Sequence, residues 1–394
     1  MSLTFSTASF SAANPDPTPK PTLPLSFLNP LSYRPAASAR GDGTLNAYER
    51  VMEALLKGRS HVDRPPCINP TSTATVQLME ETGAYWPEAH WNPEKMARLA
   101  SAAHRLAGLE NVSLPFDITV EAEVLGAEVD FMEEPASRKV FIWPKVKKPV
   151  ISGPENVHPP GEVREAGRIP KILEAIRLLK REFEGLTPVN VILTPPFTSL
   201  VQGLADPVKF LPLLVREPEK VKAILDALVE VFVEIALAYE EAGADIITLH
   251  DMGACVGMVS PEQFKIFVSP YLKKIVRAVK IPTILSICGY TLPIVEAMAS
   301  TGATAIAVDE KTSMAEAKKA AGKVKPGYPV AGNISTTLLS VGSLREIADA
   351  VGKAYAEGAD LIAPGCDFRL DTPTRKIQFF VESVKRLKGG FFPF

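Results

Sequence analysis

Apolar and polar positions follow one layout three times in the C-terminal half of the chain. "EAGADIITLHD" (241–251), "STGATAIAVDE" (300–310) and "AEGADLIAPGC" (356–366) each pass from a helix-ending glycine, through Ala and a polar residue, into a short apolar strand closing on polar groups. Gly243, Gly302 and Gly358 are 59 and 56 residues apart, two βα units of roughly 30 residues per interval. The strands this demands in between are present as "TILSI" (283–287) and "YPVAG" (328–332). Helix starts carry matching chemistry. Ser260-Pro261 with Gln263, Ser343 with Glu346, and Thr372-Pro373 supply caps, first-turn prolines and two capping boxes.

Three earlier runs, "PPCINP" (65–70), "NVSLPF" (111–116) and "VNVILTP" (189–195), bring the strand candidates to eight, alternating with helices. That alternation predicts a parallel sheet, and the count predicts an α/β fold closed as a (β/α)8 TIM barrel. An open doubly wound sheet is the rival, but no Gly-rich nucleotide fingerprint follows the first strand. Residues 117–188, rich in Pro and charge, read as an insertion after the second strand. The folded part is expected to begin near Thr44, where "TLNAYERVMEALLKG" reads as an amphipathic helix ending at Gly58. Seven prolines fall in the first 36 residues among Ser, Ala and Thr, which predicts a flexible extension over 1–43 and one barrel domain over 44–394.

Composition narrows the class. The chain has 394 residues, 46% of them hydrophobic, and a net charge of −2 with the signs mixed. No clustered basic face points to nucleic acid, and no uninterrupted apolar run is long enough for a membrane span. The start lacks the charged and apolar regions of a signal peptide, so the expected location is cytoplasmic. Four cysteines lie far apart (Cys67, Cys255, Cys288, Cys366). Under reducing conditions that favours packing, metal or catalysis over disulfides.

Catalytic groups of a (β/α)8 barrel gather at the strand C-termini. Those ends offer Asn69 and Thr71, Phe116 and Asp117, Thr194, His250 and Asp251, Cys288, Asp309 and Glu310, Asn333, and Cys366 and Asp367. Each has a duller reading. A lone cysteine is more often a small buried residue, and Cys67 and Cys255 are left in that class. His250 alone is as much a structural histidine as a functional one, Asp251 can be a cap, and Asn333 can shape a turn. Two cysteines, a histidine and several carboxylates converging on one rim are the composition of a soft-metal site.

These residues carry a resemblance. "LMEETGAYWPEAHWNPEKMARLA" (78–100), "LPFDITVEAEVLGAEVDF" (114–131), "SPEQFKIFVSPYLKKI" (260–275), "ICGYTLPIVEAMASTG" (287–302), "VAGNIST" (330–336) and "LIAPGCDFRLDTP" (361–373) resemble the uroporphyrinogen decarboxylase superfamily, in its corrinoid-dependent methylcobamide:coenzyme M methyltransferase branch. The likeness runs from about residue 44 to 388. It implies a TIM-barrel methyltransferase moving a methyl group between a methyl-Co(III) corrinoid protein and a small acceptor thiol such as coenzyme M. It also implies zinc, held by a His-x-Cys pair and a distant Cys, keeping the acceptor as thiolate. Carried over, the cysteines become Cys288 and Cys366, and an acidic position reaching the metal falls at Asp309 or Glu310. From the strand ends themselves, Asp309, Glu310 and Asn333 are expected to be catalytic, Thr194 and Asn69 to contact the cofactor, and Gly289 to let the acceptor approach the backbone.

The family histidine is replaced by Ser286. The expectation is that His250, from the neighbouring strand, supplies the imidazole instead, with Asp251 adjacent but turned the wrong way to support it. Alternatives stay open: a tetrahydrofolate-type acceptor without zinc, a non-catalytic corrinoid-protein partner, or a decarboxylase. The last is disfavoured because "CINPTSTATVQLM" (67–79) offers no arginine for substrate carboxylates. No Asp-x-His-x-x-Gly segment is present, so the corrinoid is expected on a separate protein.

Overall fold

The computed structural model of the protein describes residues 45–387; the expected extension over 1–43 lies outside them. Among these residues nine strands form in chain order: β1 (Val112–Leu114), β2 (Val129–Asp130), β3 (Lys145–Val146), β4 (Val189–Leu193), β5 (Ile246–His250), β6 (Thr283–Ile287), β7 (Ala305–Val308), β8 (Val330–Ile334) and β9 (Leu361–Pro364). Seven make one sheet in the order β1-β4-β5-β6-β7-β8-β9, all pairs parallel.

The ring closes through the first predicted strand. Ile68 N–H donates to Ile362 O at 3.1 Å, Ile362 N–H to Pro66 O at 2.9 Å, and Glu110 N–H to Cys67 O at 2.8 Å. Residues 66–68 therefore bond to the β9 side and the β1 side, but as a single bridge, Cys67 with Ile362, and not as a strand. The reason is local: Pro65, Pro66 and Pro70 have no N–H to donate to a ladder.

Two-residue alternation divides the packing into two layers. Ile247, Leu249, Leu285, Ile287, Ile306, Val308 and Ile362 face outward into the core beneath the helices. Ile246, Ile284, Ala305, Ala307, Ala331, Leu361, Ala363 and Ile68 face inward and fill the barrel. Helix Ala47–Lys57 plugs the lower opening with Val51, Ala54 and Leu55. It starts on a capping box between Asn46 and Glu49 and stops at Gly58, whose φ of 83° suits glycine.

The boxes at Ser260/Gln263 and Ser343/Glu346 form as expected. The Thr372-Pro373 start is corrected: the helix runs Thr374–Lys385, Pro373 occupies the cap position, and Thr374 N–H is taken by Gln77 Oε1 at 2.8 Å. Within 117–188 lie the short helix Val120–Val124, the antiparallel β2–β3 pair, and helix Ile169–Phe183, the regular outer helix before β4. No helix among the described residues is long and apolar enough to cross a membrane.

Candidate metal centre

The inward face that begins apolar ends polar. On β5 it reads Ile246, Thr248, His250; beyond β6 it reaches Cys288; beyond β9 it reaches Cys366. His250 Nε2 lies 3.6 Å from Cys288 Sγ and 3.8 Å from Cys366 Sγ. All three donor atoms fall within 4.8 Å of one another. A tetrahedral zinc with bonds of about 2.3 Å to sulfur and 2.0–2.1 Å to nitrogen separates its ligand atoms by roughly 3.6–3.8 Å. The donor chemistry and the spacing therefore fit such an ion. His250 is buried, whereas both cysteines are partly exposed, so the cluster opens toward the barrel mouth.

Ser286 explains how this set assembles. In the β5–β6 ladder His250 and Ser286 are register partners, one strand spacing apart, about 4.8 Å. Both residues lie on the inward face, at the same height on neighbouring strands.

Electrostatics links the three side chains. The S–H of Cys288 toward Cys366 brings the Cys366 thiol down to about 7 against the opposing effect of burial, with His250 assisting. Cys288 is pushed well above the usual thiol range by Cys366 and by burial. Burial alone would lower His250, but Asp367, Cys366 and Asp251 outweigh it and raise it to about 9.

The surrounding turns are tied down by backbone donors. Asp309 Oδ2 accepts from Gly289 N–H, and its Oδ1 from Lys311 N–H at 2.9 Å. Asp367 Oδ1 accepts from Ser72 N–H at 2.7 Å, fastening the Cys366 turn to the closing segment. Asp251 turns away from His250, as alternation requires, and accepts from Thr198 Oγ1 at 2.5 Å; burial raises its carboxyl to about 6. Below the cluster lies a polar floor. Thr248 Oγ1 donates to Asn190 Oδ1 at 2.7 Å, Asn190 Nδ2 to Pro70 O at 2.8 Å, and Asn111 Nδ2 to Asn69 O at 2.7 Å.

The other expected site residues take varied places. Glu310 is exposed on the rim. Asn333 Nδ2 donates to Thr312 O at 2.8 Å. Gly289 adopts φ 92°, and a Cβ there would meet Cys255 Sγ at 3.2 Å, so its bareness serves loop packing. Thr194 is buried, its N–H held by Glu121 Oε1 at 3.0 Å. Asn69 is fully buried; its Oδ1 accepts from Thr71 N–H and its Nδ2 donates to Ser72 O, each at 3.0 Å. Its side chain thus shapes the closing segment. Sequence reasoning missed the cluster of His90, Asp117 and Arg168: Asp117 lies 2.9 Å from His90 Nδ1 and 2.7 Å from Arg168 Nη2. Arg168 comes from the inserted region 51 residues on, and no local pattern signals that pairing.

Comparison with known proteins follows the same lines. The family described as Uroporphyrinogen decarboxylase (URO-D) matches residues 47–387. The chain is 36% identical over 347 residues, 86% of its length and 98% of the relative's, to a methylcobamide:CoM methyltransferase of Methanosarcina acetivorans. It is 34% identical to one of Methanosarcina barkeri, over 83% of this chain and 94% of that one. A solved methyltransferase structure from Methanosarcina mazei superposes with a TM-score of 0.80 at 31% identity, covering 87% of this chain and 99% of that chain.

Proposed function

The chain belongs to the uroporphyrinogen decarboxylase family, and we propose that within it the protein is a methyltransferase. In this reading a methyl group moves between a methyl-Co(III) corrinoid, carried by a separate protein, and a small thiol of the coenzyme M type. The observation that carries the reading is the convergence of His250, Cys288 and Cys366 within 4.8 Å at the barrel mouth. Those three side chains would hold zinc, which when bound supplies the positive charge that keeps an acceptor thiol ionised at neutral pH.

The remaining work falls to the chain. Partial exposure of both cysteines leaves the acceptor an approach from the mouth, while the buried polar floor and the apolar layer beneath it close the other side to water. Asp309 has both oxygens engaged by backbone N–H groups, which leaves Glu310, exposed on the rim, and Asp367, beside His250 and Cys288, as the carboxylates to receive the thiol proton. Tyr290, in the turn after Cys288, is 46% exposed, and Val341 and Leu344, the last and first residues of the two helices that follow β8, are 69% and 47% exposed, apolar surface suited to a docking protein.

The test combines zinc analysis of the purified protein with a methyl-transfer assay, methylcobalamin as donor and coenzyme M as acceptor. Stoichiometric zinc and loss of methyl–cobalt absorbance are expected. Cys288→Ser and Cys366→Ser should each reduce transfer at least about 100-fold, beyond the roughly 10–100-fold range of outer-shell changes. Transfer to tetrahydrofolate in zinc-free protein, with none to thiols, would replace this reading by the folate one.

A further inference from the structure

Asp309 directly follows β7, on the barrel wall between the strand leading to Cys288 and the strand leading to Cys366. Its Oδ2 accepts the N–H of Gly289, the residue after Cys288. On the other side it meets Gly365, the residue before Cys366. A Cβ on Gly365 would lie 2.6 Å from Asp309 Cβ, 2.7 Å from its Cα and 2.9 Å from Glu310 Oε2. In the sheet β8 separates β7 from β9, so this contact passes over the end of β8 and is no product of strand pairing. One buried residue therefore touches the turns of both cysteines.

We infer that Asp309 is a positioning residue that sets the separation of the Cys288 and Cys366 sulfurs, and that Gly365 is bare because the approach leaves no room for a side chain. Two backbone N–H groups, from Gly289 and Lys311, hold the carboxylate in one orientation. Charged acceptors make such bonds strong, and losing one leaves a poorly solvated donor behind. Without the carboxylate the Gly289 turn, at φ 92°, is released and Cys288 swings with it. A methyl group on Gly365 displaces the other turn, because the obstructing atoms include Asp309 backbone. The functional meaning of this spacing rests on the metal reading above, but the geometry can be tested without metal.

The probe is phenylarsine oxide, whose arsenic bonds two thiols with loss of one water only where both sulfurs can reach one atom. The full-length chain is dialysed against chelator and carries Cys255→Ser to silence the nearby thiol. One arsenical per chain is expected, with Cys288 and Cys366 both protected from alkylation. Asp309→Ala and Gly365→Ala should each weaken capture at least about tenfold. Asp309→Asn, which retains one acceptor oxygen, should fall between, a rescue that a merely destabilising substitution would not give. The double variant should be no worse than the weaker single, since both changes break one linkage. Should Asp309→Ala fold poorly, Gly365→Ala and Asp309→Asn carry the measurement. Undiminished capture in these variants, or none in the parent chain, overturns the inference. A parent that captures the arsenical but binds no zinc overturns the metal reading and leaves the inference standing.

Discussion

Two polar clusters, each built around a buried residue (Glu110 below, His250 above), sit at opposite ends of the barrel, and they are built on different principles. At the lower end Glu110 accepts from Arg50 Nη1 at 2.6 Å, Arg64 Nη1 at 2.7 Å and Cys67 N–H at 2.8 Å, while Arg50 Nε pairs with Asp63 at 2.7 Å. Burial pushes the Glu110 carboxyl up, yet the two guanidiniums prevail and hold it below the usual range. Two positive charges meet two negative ones and every contact is between donor and acceptor. At the mouth, three side chains that share a taste for soft cations point at one another. The lesson is that burial of polar groups does not mark function. A charge-balanced cluster ties segments distant in sequence together, whereas soft donors brought to a single focus could hold a metal ion.

The strongest way to break this contrast is to move the imidazole. His250→Ala should lower zinc content and methyl transfer together, by on the order of 100-fold. Adding Ser286→His to that chain should restore both, because the two positions are register partners. Zinc measured by atomic emission decides the matter: unchanged zinc in His250→Ala would refute the ligand assignment.

The lower cluster should respond in stability and not in chemistry. Glu110→Ala leaves two buried guanidiniums without their shared partner and should cost about 3–5 kcal/mol, read from urea unfolding. Zinc content of the folded fraction should not change. A parallel loss of zinc would show that the two ends are coupled.

A smaller effect concerns pH. Glu110 and Asp117 both have folded-state values below the ordinary carboxylate range: burial raises each, but Arg64 with Arg50, and Arg168 with His90, outweigh it. Their contribution is therefore complete above the unfolded value, about 4, and is lost as pH falls through the lower folded values. Urea midpoints should decline from pH 5 toward pH 3, and Glu110→Gln should flatten that decline.

Much of this architecture is legible in the chain pattern alone. The repeat 241–251, 300–310 and 356–366 located β5, β7 and β9, and "TILSI" became β6 without a change of boundary. The first strand is the exception, since its prolines leave only one bridge. Asn69 and Thr194 were located at strand ends, but the chain pattern could not reveal that Asn69's side chain shapes the closing segment or that Thr194's N–H is held by Glu121. The tie from Asp367 to Ser72 spans 295 residues, and nothing local in either segment announces it.

By itself the sequence determined the alternation within each strand, and with it that Ile246, Thr248 and His250 share one face while Ile247 and Leu249 take the other. It also determined the helix starts at Ser260 and Ser343, because capping depends on neighbours three residues apart. The tertiary structure alone decided which inward faces meet at the same height: His250 beside Ser286, and Asp309 against both cysteine turns. The reason is that register is set jointly by packing on all the strands and both layers. A slip of one residue leaves the pattern of each strand intact, yet turns its entire inward set outward.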